Sequence, residues 1–305
     1  MRRVLFVVLA FLTAAVQPAA AAEFSFVGLG DMPYRVPADH EPFRRLITRI
    51  NQEKPVFSIH VGDTKGGSTP CTRDAYTIIR NDLITFEQPL FYTPGDNEWT
   101  DCHRYRAGDF DPLTRLAMVR EIFFAEAQSL GKSAMAYERQ ADRSSHVQMV
   151  ENALWRHSDV LFATVHVVGP NNGRKRSKSE YRARDEANAD WIDHAFSEAM
   201  RMQARAAVIA FHADLWHKGS DKGIRKTLQR LARGAKAFAK PVLLINGDVH
   251  RHTIDQPLIG EDGAVLNNVT RLRVMGKSDL RAVKVTVAAP SQPAFRYEPL
   301  SPSER

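Results

Sequence analysis

Residues 242–250 read VLLINGDVH, an unbroken apolar run that ends abruptly in Gly247, a carboxylate and an imidazole. Three other stretches end in a similar way: EFSFVGLGD at 23–31, PVFSIHVGD at 55–63 and PLFYTPGDNEW at 89–99. Short apolar runs bounded by turn residues are the pattern of strands buried on both faces, the kind found in α/β sheets covered by helices. Ligands in such sheets gather in the crevice beyond the carboxyl ends of the strands, and glycine lets the chain turn sharply there. Asp31, Asp63, Asp96, Asp248 and His250 are therefore expected at one spot. Hard oxygen donors with a few imidazoles are the chemistry of a divalent-metal site.

Outward from these runs the spacing alternates between strand and helix. Phe43, Leu46, Ile47 and Ile50 repeat at helical intervals after the first run, as do Tyr76, Ile79 and Leu83 after the second, and Pro112 to about Ala127 reads as a third helix. VLFATVHVVG (160–169) and AAVIAFHADL (206–215) read as strands. Between them Trp191, Ile192, Ala195, Ala199 and Met200 mark one helix face. Ile224, Leu228, Leu231 and Phe238 stripe a further helix, whose Lys222, Arg225, Lys226, Arg230, Arg233 and Lys236 suit a solvated outer face better than a membrane or nucleic-acid surface. Residues 131–158 show few clean periods and read as loop with short strands. VTRLRVMG (269–276) and RAVKVTVAA (281–289) read as a terminal antiparallel pair. No repeat or low-complexity linker interrupts the pattern, so one domain is expected.

The chain opens MRRVLFVVLAFLTAAVQPAAAAEF: a basic start, an apolar stretch from Val4 to about Val16, and the small residues Ala20, Ala21 and Ala22 before Glu23. This is the anatomy of a secretory signal peptide over 1–22. The alternative, a membrane anchor, meets the objection that the apolar stretch is short for a bilayer. Removing 22 of the 305 residues leaves a 283-residue domain, 23–305, and takes the formal charge from +7 to +5 with the loss of Arg2 and Arg3. Such a domain can bury a large single core. Its modest basic surplus suits anionic small molecules and does not by itself argue for nucleic acid. Cys71 and Cys102 are the only cysteines, each a few residues beyond a motif aspartate. In an oxidising compartment a disulfide between them would tie two site loops together, against the alternatives of buried thiols or metal ligation.

In order and content these motifs resemble the calcineurin-like metallophosphoesterases, the superfamily that includes purple acid phosphatases and the exported alkaline phosphatase D group. The resemblance spans Asp31 to His252. It implies a four-layer α-β-β-α sandwich with two mixed β-sheets and two metals at the carboxyl ends of the strands. The family's usual signature is Asp-x-His, Gly-Asp, Gly-Asn-His-Asp/Glu, a lone His, and Gly-His-x-His. The corresponding stretches here are Gly30-Asp31-Met32-Pro33, Gly62-Asp63, Gly95-Asp96-Asn97-Glu98, His212 within Phe211-His212-Ala213-Asp214, and Gly247-Asp248-Val249-His250. Carried over residue by residue, Asp31 and His250 look like ligands of a first metal, Asp63 like the bridging carboxylate, and Asp96 with His212 like ligands of a second. Asp248 stands where the family has another histidine. An alternative register makes Asn97 the ligand and Asp96 its support. The extra carboxylates suit Mn, Mg or Ca better than Zn, with Fe also within the family's range.

Two departures stand out. Pro33 replaces the histidine of Asp-x-His, leaving Tyr34 or a water to fill the gap. Asn97 replaces the histidine that usually protonates the leaving alkoxide, and an amide cannot do so. His103, beside Cys102, is the nearby substitute, with an ordinary loop histidine as the alternative. Arg35, Arg104 and the run Arg174-Lys175-Arg176-Ser177-Lys178 are candidates to clamp a phosphate, although the run also fits a solvated loop. Asn171, in the turn Asn171-Asn172-Gly173 that closes the strand containing His166, is placed on a loop lining the cleft, or is an ordinary turn residue. His60 and His166, within strands, read as packed core groups or as supports of the ligands, and His252 invites a ligand reading that the Gly-x-x-His register gives to His250 instead. The resemblance thus implies an exported metal-dependent phosphoesterase acting on a small phosphorylated substrate, without nucleic acid or membrane insertion after cleavage. The alternative is a non-catalytic metal- or phosphate-binding protein in which Pro33 and Asn97 record lost chemistry.

Overall fold

The apolar runs pair into two sheets. In the computed structural model, which describes residues 22–143, 145–217, 221–289 and 293–303, one sheet holds five strands and the other seven. Residues 1–21 of the expected signal peptide lie outside the described residues. In the first sheet β1 (Phe24–Leu29), β2 (Ser58–His60) and β3 (Leu90–Tyr92) run parallel, and β11 (Ala282–Val287) and β12 (Phe295–Leu300) add antiparallel beyond β1. The second sheet runs β4 (Glu138–Arg139), β5 (Ala153–His157), β6 (Val160–Thr164), β7 (Ala206–Ala210), β8 (Val242–Asn246), β10 (Val269–Arg273), β9 (Thr253–Asp255). Its four strands β6, β7, β8 and β10 are parallel, so both sheets are mixed.

Side-chain alternation then decides the layers. On β1, Phe26 points to a central core shared with Ile59, Phe91, Phe162, Val208, Ile245 and Val283, whereas its neighbour Val27 packs under the helices. Those helices are α1 (His40–Glu53), α2 (Arg73–Leu83) and α3 (Pro112–Phe123). On β7, Val208 faces the central core, and Ala207 and Ile209 meet the second helical layer, α4 (Lys178–Arg201) and α5 (Asp221–Phe238). The result is the four-layer α-β-β-α sandwich. Helix starts follow local chemistry. Thr72 accepts from Ala75 N–H at 3.3 Å, and Asp111, ahead of Pro112, accepts from Thr114 N–H at 2.8 Å.

One expectation is corrected. The segments at 269–276 and 281–289 do not pair with each other: β10 lies parallel to β8 in the second sheet, and β11 is antiparallel to β1 and β12 in the first. Their alternating patterns each specify one buried face but not the sheet. Leu272 and Val283 both lie in the central core instead.

The two cysteines form the expected bridge, Cys71–Cys102, with Cα atoms 5.8 Å apart and a separation of 31 positions in sequence. It joins the loop after β2 to the 3₁₀ turn Thr100–His103 after β3. Chain entropy over a loop of that size predicts that Cys71→Ser/Cys102→Ser lowers unfolding stability by about 3–4 kcal/mol. Denaturant titration of the double variant against the parent checks it.

Candidate metal centre

Five strands of the two sheets, β1, β2, β3, β7 and β8, each deliver a site residue just beyond their carboxyl ends. The backbone there is bent into the left-handed region: φ is 54° at Asp31, 54° at Asp63, 76° at Asp248 and 56° at His250. Such conformations cost of order 1–3 kcal/mol each and persist only when the surroundings over-determine them. Gly62, at φ 91°, supplies the turn before Asp63. A side chain at Gly95 would collide with the Asp63 carboxylate, so the second and third strand ends approach at backbone distance.

The donors converge. His212, fully buried, has Nε2 2.9 Å from Asp96 Oδ1 and 3.5 Å from Asp63 Oδ1. Its Nδ1 donates to the Val61 carbonyl at 2.8 Å, which fixes the ring so that Nε2 faces the carboxylates. Asp31 and His250 are neighbours, with Oδ1 and Nε2 3.7 Å apart, and Asp31 accepts from the Asp248 backbone N–H at 3.1 Å. Donor atoms of Asp31, Asp63 and His212 lie within 4.8 Å of one another, as do those of Asp96, His212 and Asp248.

The charges show why a cation belongs there. Burial pushes Asp31 up to about 8, helped by Asp248 and opposed by His212. Burial likewise raises Asp63 and Asp248. Burial works against a charged His212 too, but Asp63, Asp96 and Asp31 outweigh it and raise its pKa well above the ordinary imidazole value. In the protein alone, protons supply the positive charge that four carboxylates require. His250 is different: burial, His212 and Lys277 lower it to about 4, and its Nε2 is buried without a hydrogen-bond partner. A neutral imidazole with an unused nitrogen beside a carboxylate is a ligand in waiting. The donor set fits divalent metal ions.

No protein-family profile and no curated protein matches the chain in sequence. Several solved structures are similar. Three of them are GAP50, the anchor in the inner membrane complex of Plasmodium (TM-score 0.52, 13% identity, 93% of this chain and 90% of that one); a dimetal phosphatase from Danio rerio (TM-score 0.54, 11% identity, 92% and 99%); and the purple acid phosphatase PPD1 from seeds of yellow lupin, Lupinus luteus (TM-score 0.54, 13% identity, 88% and 50%). The fold is that of the calcineurin-like metallophosphoesterases.

Within this metallophosphoesterase fold the departures acquire a geometry. Next to Pro33, Tyr34 packs its ring edge-on against His250, with centroids 4.9 Å apart, and its hydroxyl lies 3.3 Å from Asn97 Nδ2. Asn97 donates from Nδ2 to Asp63 Oδ2 at 2.5 Å and to the Lys65 carbonyl at 3.0 Å, while its backbone N–H meets Asp63 Oδ1 at 3.0 Å. As placed, Asn97 braces Asp63 and Asp96 faces His212. Arg104 lies close by: a methyl group on Gly67 would stand 2.5 Å from its Nη1 and 2.6 Å from Asn97 Oδ1. His103 is half-buried, with Nδ1 2.7 Å from the Thr100 carbonyl. Arg35 is tied to Asp39, at 2.8 Å, and Asn171 accepts from the Gly223 N–H at 2.5 Å, capping α5.

Several supporting residues had no role in the sequence reading. Glu98, fully buried, accepts from Gly95 N–H at 2.8 Å, Asp63 N–H at 3.2 Å and Thr64 Oγ1 at 2.7 Å, clasping the ends of β2 and β3. Its place in the Gly-Asp-Asn-Glu motif is the signal that could have found it. Asp101, pushed up to about 7 by burial and by Asp96, is ion-paired to Arg104 at 2.6 Å. Asp214 sets Asp248 through its backbone N–H at 3.0 Å and pairs with Arg271 at 3.0 Å and with Arg273. His60 and His166 are fully buried, as core or supporting groups would be, whereas His252 is exposed. His60 donates to the Met32 carbonyl at 2.9 Å, His166 pairs with Glu151 at 2.7 Å, and His252 lies 3.0 Å from the Arg273 carbonyl.

Protonation links the site to stability. Asp31 holds its proton to about pH 8 in the folded chain against an ordinary value of 3.8, and His212 is raised in the same sense, so folding takes up protons as long as these groups are protonated only in the native state. His60 and His250, lowered to about 4, act oppositely, but only up to the ordinary imidazole value of 6.5. Between about pH 6.5 and 8 the metal-free protein should therefore lose thermal stability as pH rises. Saturating Mn should cancel that slope and release protons on binding. Scanning calorimetry in chelator and in Mn checks both; a midpoint that climbs with pH in chelator contradicts the assignment.

Proposed function

We propose that the protein is an exported, divalent-metal-dependent phosphoesterase. The observation that carries this reading is the convergence of Asp31, Asp63, Asp96, Asp248, His212 and His250 at the strand ends of a fold shared with a dimetal phosphatase. Asp31 and His250 would hold one ion and Asp96, His212 and Asp248 the other, with Asp63 between them. When bound, two such ions activate a water and neutralise the phosphoryl oxygens. The chain does the rest. Asn97 and Glu98 hold Asp63 from its side-chain and backbone sides, fixing the shared carboxylate. Arg104 offers a guanidinium on the Asn97 side for a non-bridging phosphate oxygen. His103 is the candidate to protonate the leaving oxygen, its ring steadied through Nδ1 by the Thr100 carbonyl. The disulfide after Asp63 and Asp96, and the basic, apolar, then small-residue opening, support export. No helix among the described residues is long and apolar enough to cross a membrane.

Hydrolysis of aryl phosphate mono- and diesters, measured with metal analysis of the purified protein, tests the reading. Asp63→Ala should remove bound metal and lower kcat/KM by ~100-fold or more, an order expected for a metal-organising group. Asp96→Asn, which keeps an oxygen donor, should shift metal preference more than occupancy. His103→Ala should slow alkyl phosphates and spare activated aryl esters, because only poor leaving groups need the proton. Full activity in chelator rejects the proposal. A protein that binds metal and turns over no ester supports the binding-protein alternative, which Pro33 and Asn97 favour. Intact-mass measurement of exported material should show a chain beginning at Glu23.

A further inference from the structure

Beside the metal centre lies a cavity of about 160 Å³ whose walls include Thr100, Gly169, Asn171, Gly173, Lys175 and Arg176. Two of these residues also support the site. A methyl group on Gly169 would stand 2.6 Å from both carboxylate oxygens of Asp248, and Thr100 Oγ1 donates to the Asp96 carbonyl at 3.2 Å. The cavity is thus one residue's width from two candidate ligands, and at ~30 Å³ per water it has room for about five. Its charge is positive. Lys175 and Arg176 are exposed, and among the described residues neither is ion-paired. Arg176 is near enough to Asp101 to act on that carboxyl electrostatically.

These cations stand on a platform that is already built. Arg184, fully buried, reaches back from α4 to donate to the Asn172 carbonyl at 3.1 Å, the Asn172 side chain and the His166 carbonyl at 3.2 Å, and its guanidinium lies 5.2 Å from the centre of the Trp99 ring. From the other side Asn171 is fastened to the first turn of α5. Asn171 and Asn172 both sit in the left-handed region, at φ 55° and 54°, which asparagine adopts more readily than most residues, so the sequence suits the turn that Arg184 and α5 hold in place. A preformed loop spends little ordering entropy when a ligand arrives.

We infer that this cavity is a second phosphoryl subsite: the substrate carries two phosphoryl groups, one held at the metals and the other received by Lys175 and Arg176. The inference rests on the phosphoesterase reading. Non-hydrolysable α,ω-alkane bisphosphonates of three to six carbons, titrated calorimetrically into the Mn-loaded protein at low ionic strength against the matching monophosphonates, test it. At least one bisphosphonate should bind tenfold or more tighter than its monophosphonate. Lys175→Gln/Arg176→Gln should cut that advantage below threefold and weaken monophosphonate binding by a smaller factor than it weakens the bisphosphonate, because loss of the two charges acts on the first phosphoryl group only at a distance. No advantage at any chain length, or an advantage that survives the double substitution, overturns the subsite with the phosphoesterase reading intact. A protein that neither binds monophosphonate nor hydrolyses aryl phosphates overturns both.

Discussion

Four carboxylates within reach of one another, three buried and one half-buried, cannot all be charged unless positive charge stands among them, and the rest of this molecule is arranged around that constraint. Asp31, Asp63, Asp96 and Asp248 come from four strand ends and share one imidazole, His212, that is drawn toward the protonated form by them. A bare cluster of this kind opposes folding. The sandwich overcomes it with a continuous apolar core between two sheets and two helical layers, and the cluster's repulsion becomes affinity for divalent cations. The left-handed backbone at Asp31, Asp63, Asp248 and His250 belongs to the same logic, because the strain is held by strands that cannot move apart.

The supporting groups divide the work by chemistry. Glu98 turns its whole acceptor capacity inward to backbone and hydroxyl donors, and so orders the loop without adding a ligand. Asn97 is a donor where a histidine would be an acid. It strengthens the hold on Asp63, on a loop tied down by the disulfide. Asp214 is buried against Arg271 and Arg273, and a carboxylate removed there would leave two cations without their shared partner. Each of these groups lies within a few ångströms of a candidate ligand and none needs to touch a metal.

Much of this was legible in the sequence because strand ends announce themselves. VLLINGDVH and its three companions show an apolar run, a glycine and a polar group in one line, so the site residues could be named in order. The pairing of the last long strands was not legible. An alternating pattern specifies which face is buried and says nothing of which sheet receives it, so 269–276 and 281–289 went to opposite sheets. Arg35 and Asn171 were singled out by residue type and proximity in sequence, yet their side chains are engaged with Asp39 and with the start of α5.

The sequence by itself determined the strands, the glycine turns and the donor types, since these follow from local periodicity and from backbone sterics at single residues. Only the tertiary structure decided which donors meet. Asp31 and Asp248 are 217 positions apart, and their contact exists because β1 and β8 end side by side across two packed sheets. It also decided which of Asp96 and Asn97 faces His212, a matter of side-chain direction on one turn, and it fixed Lys175 and Arg176 beside the centre through the buried Arg184. Long-range packing sets such distances, and no local pattern encodes them.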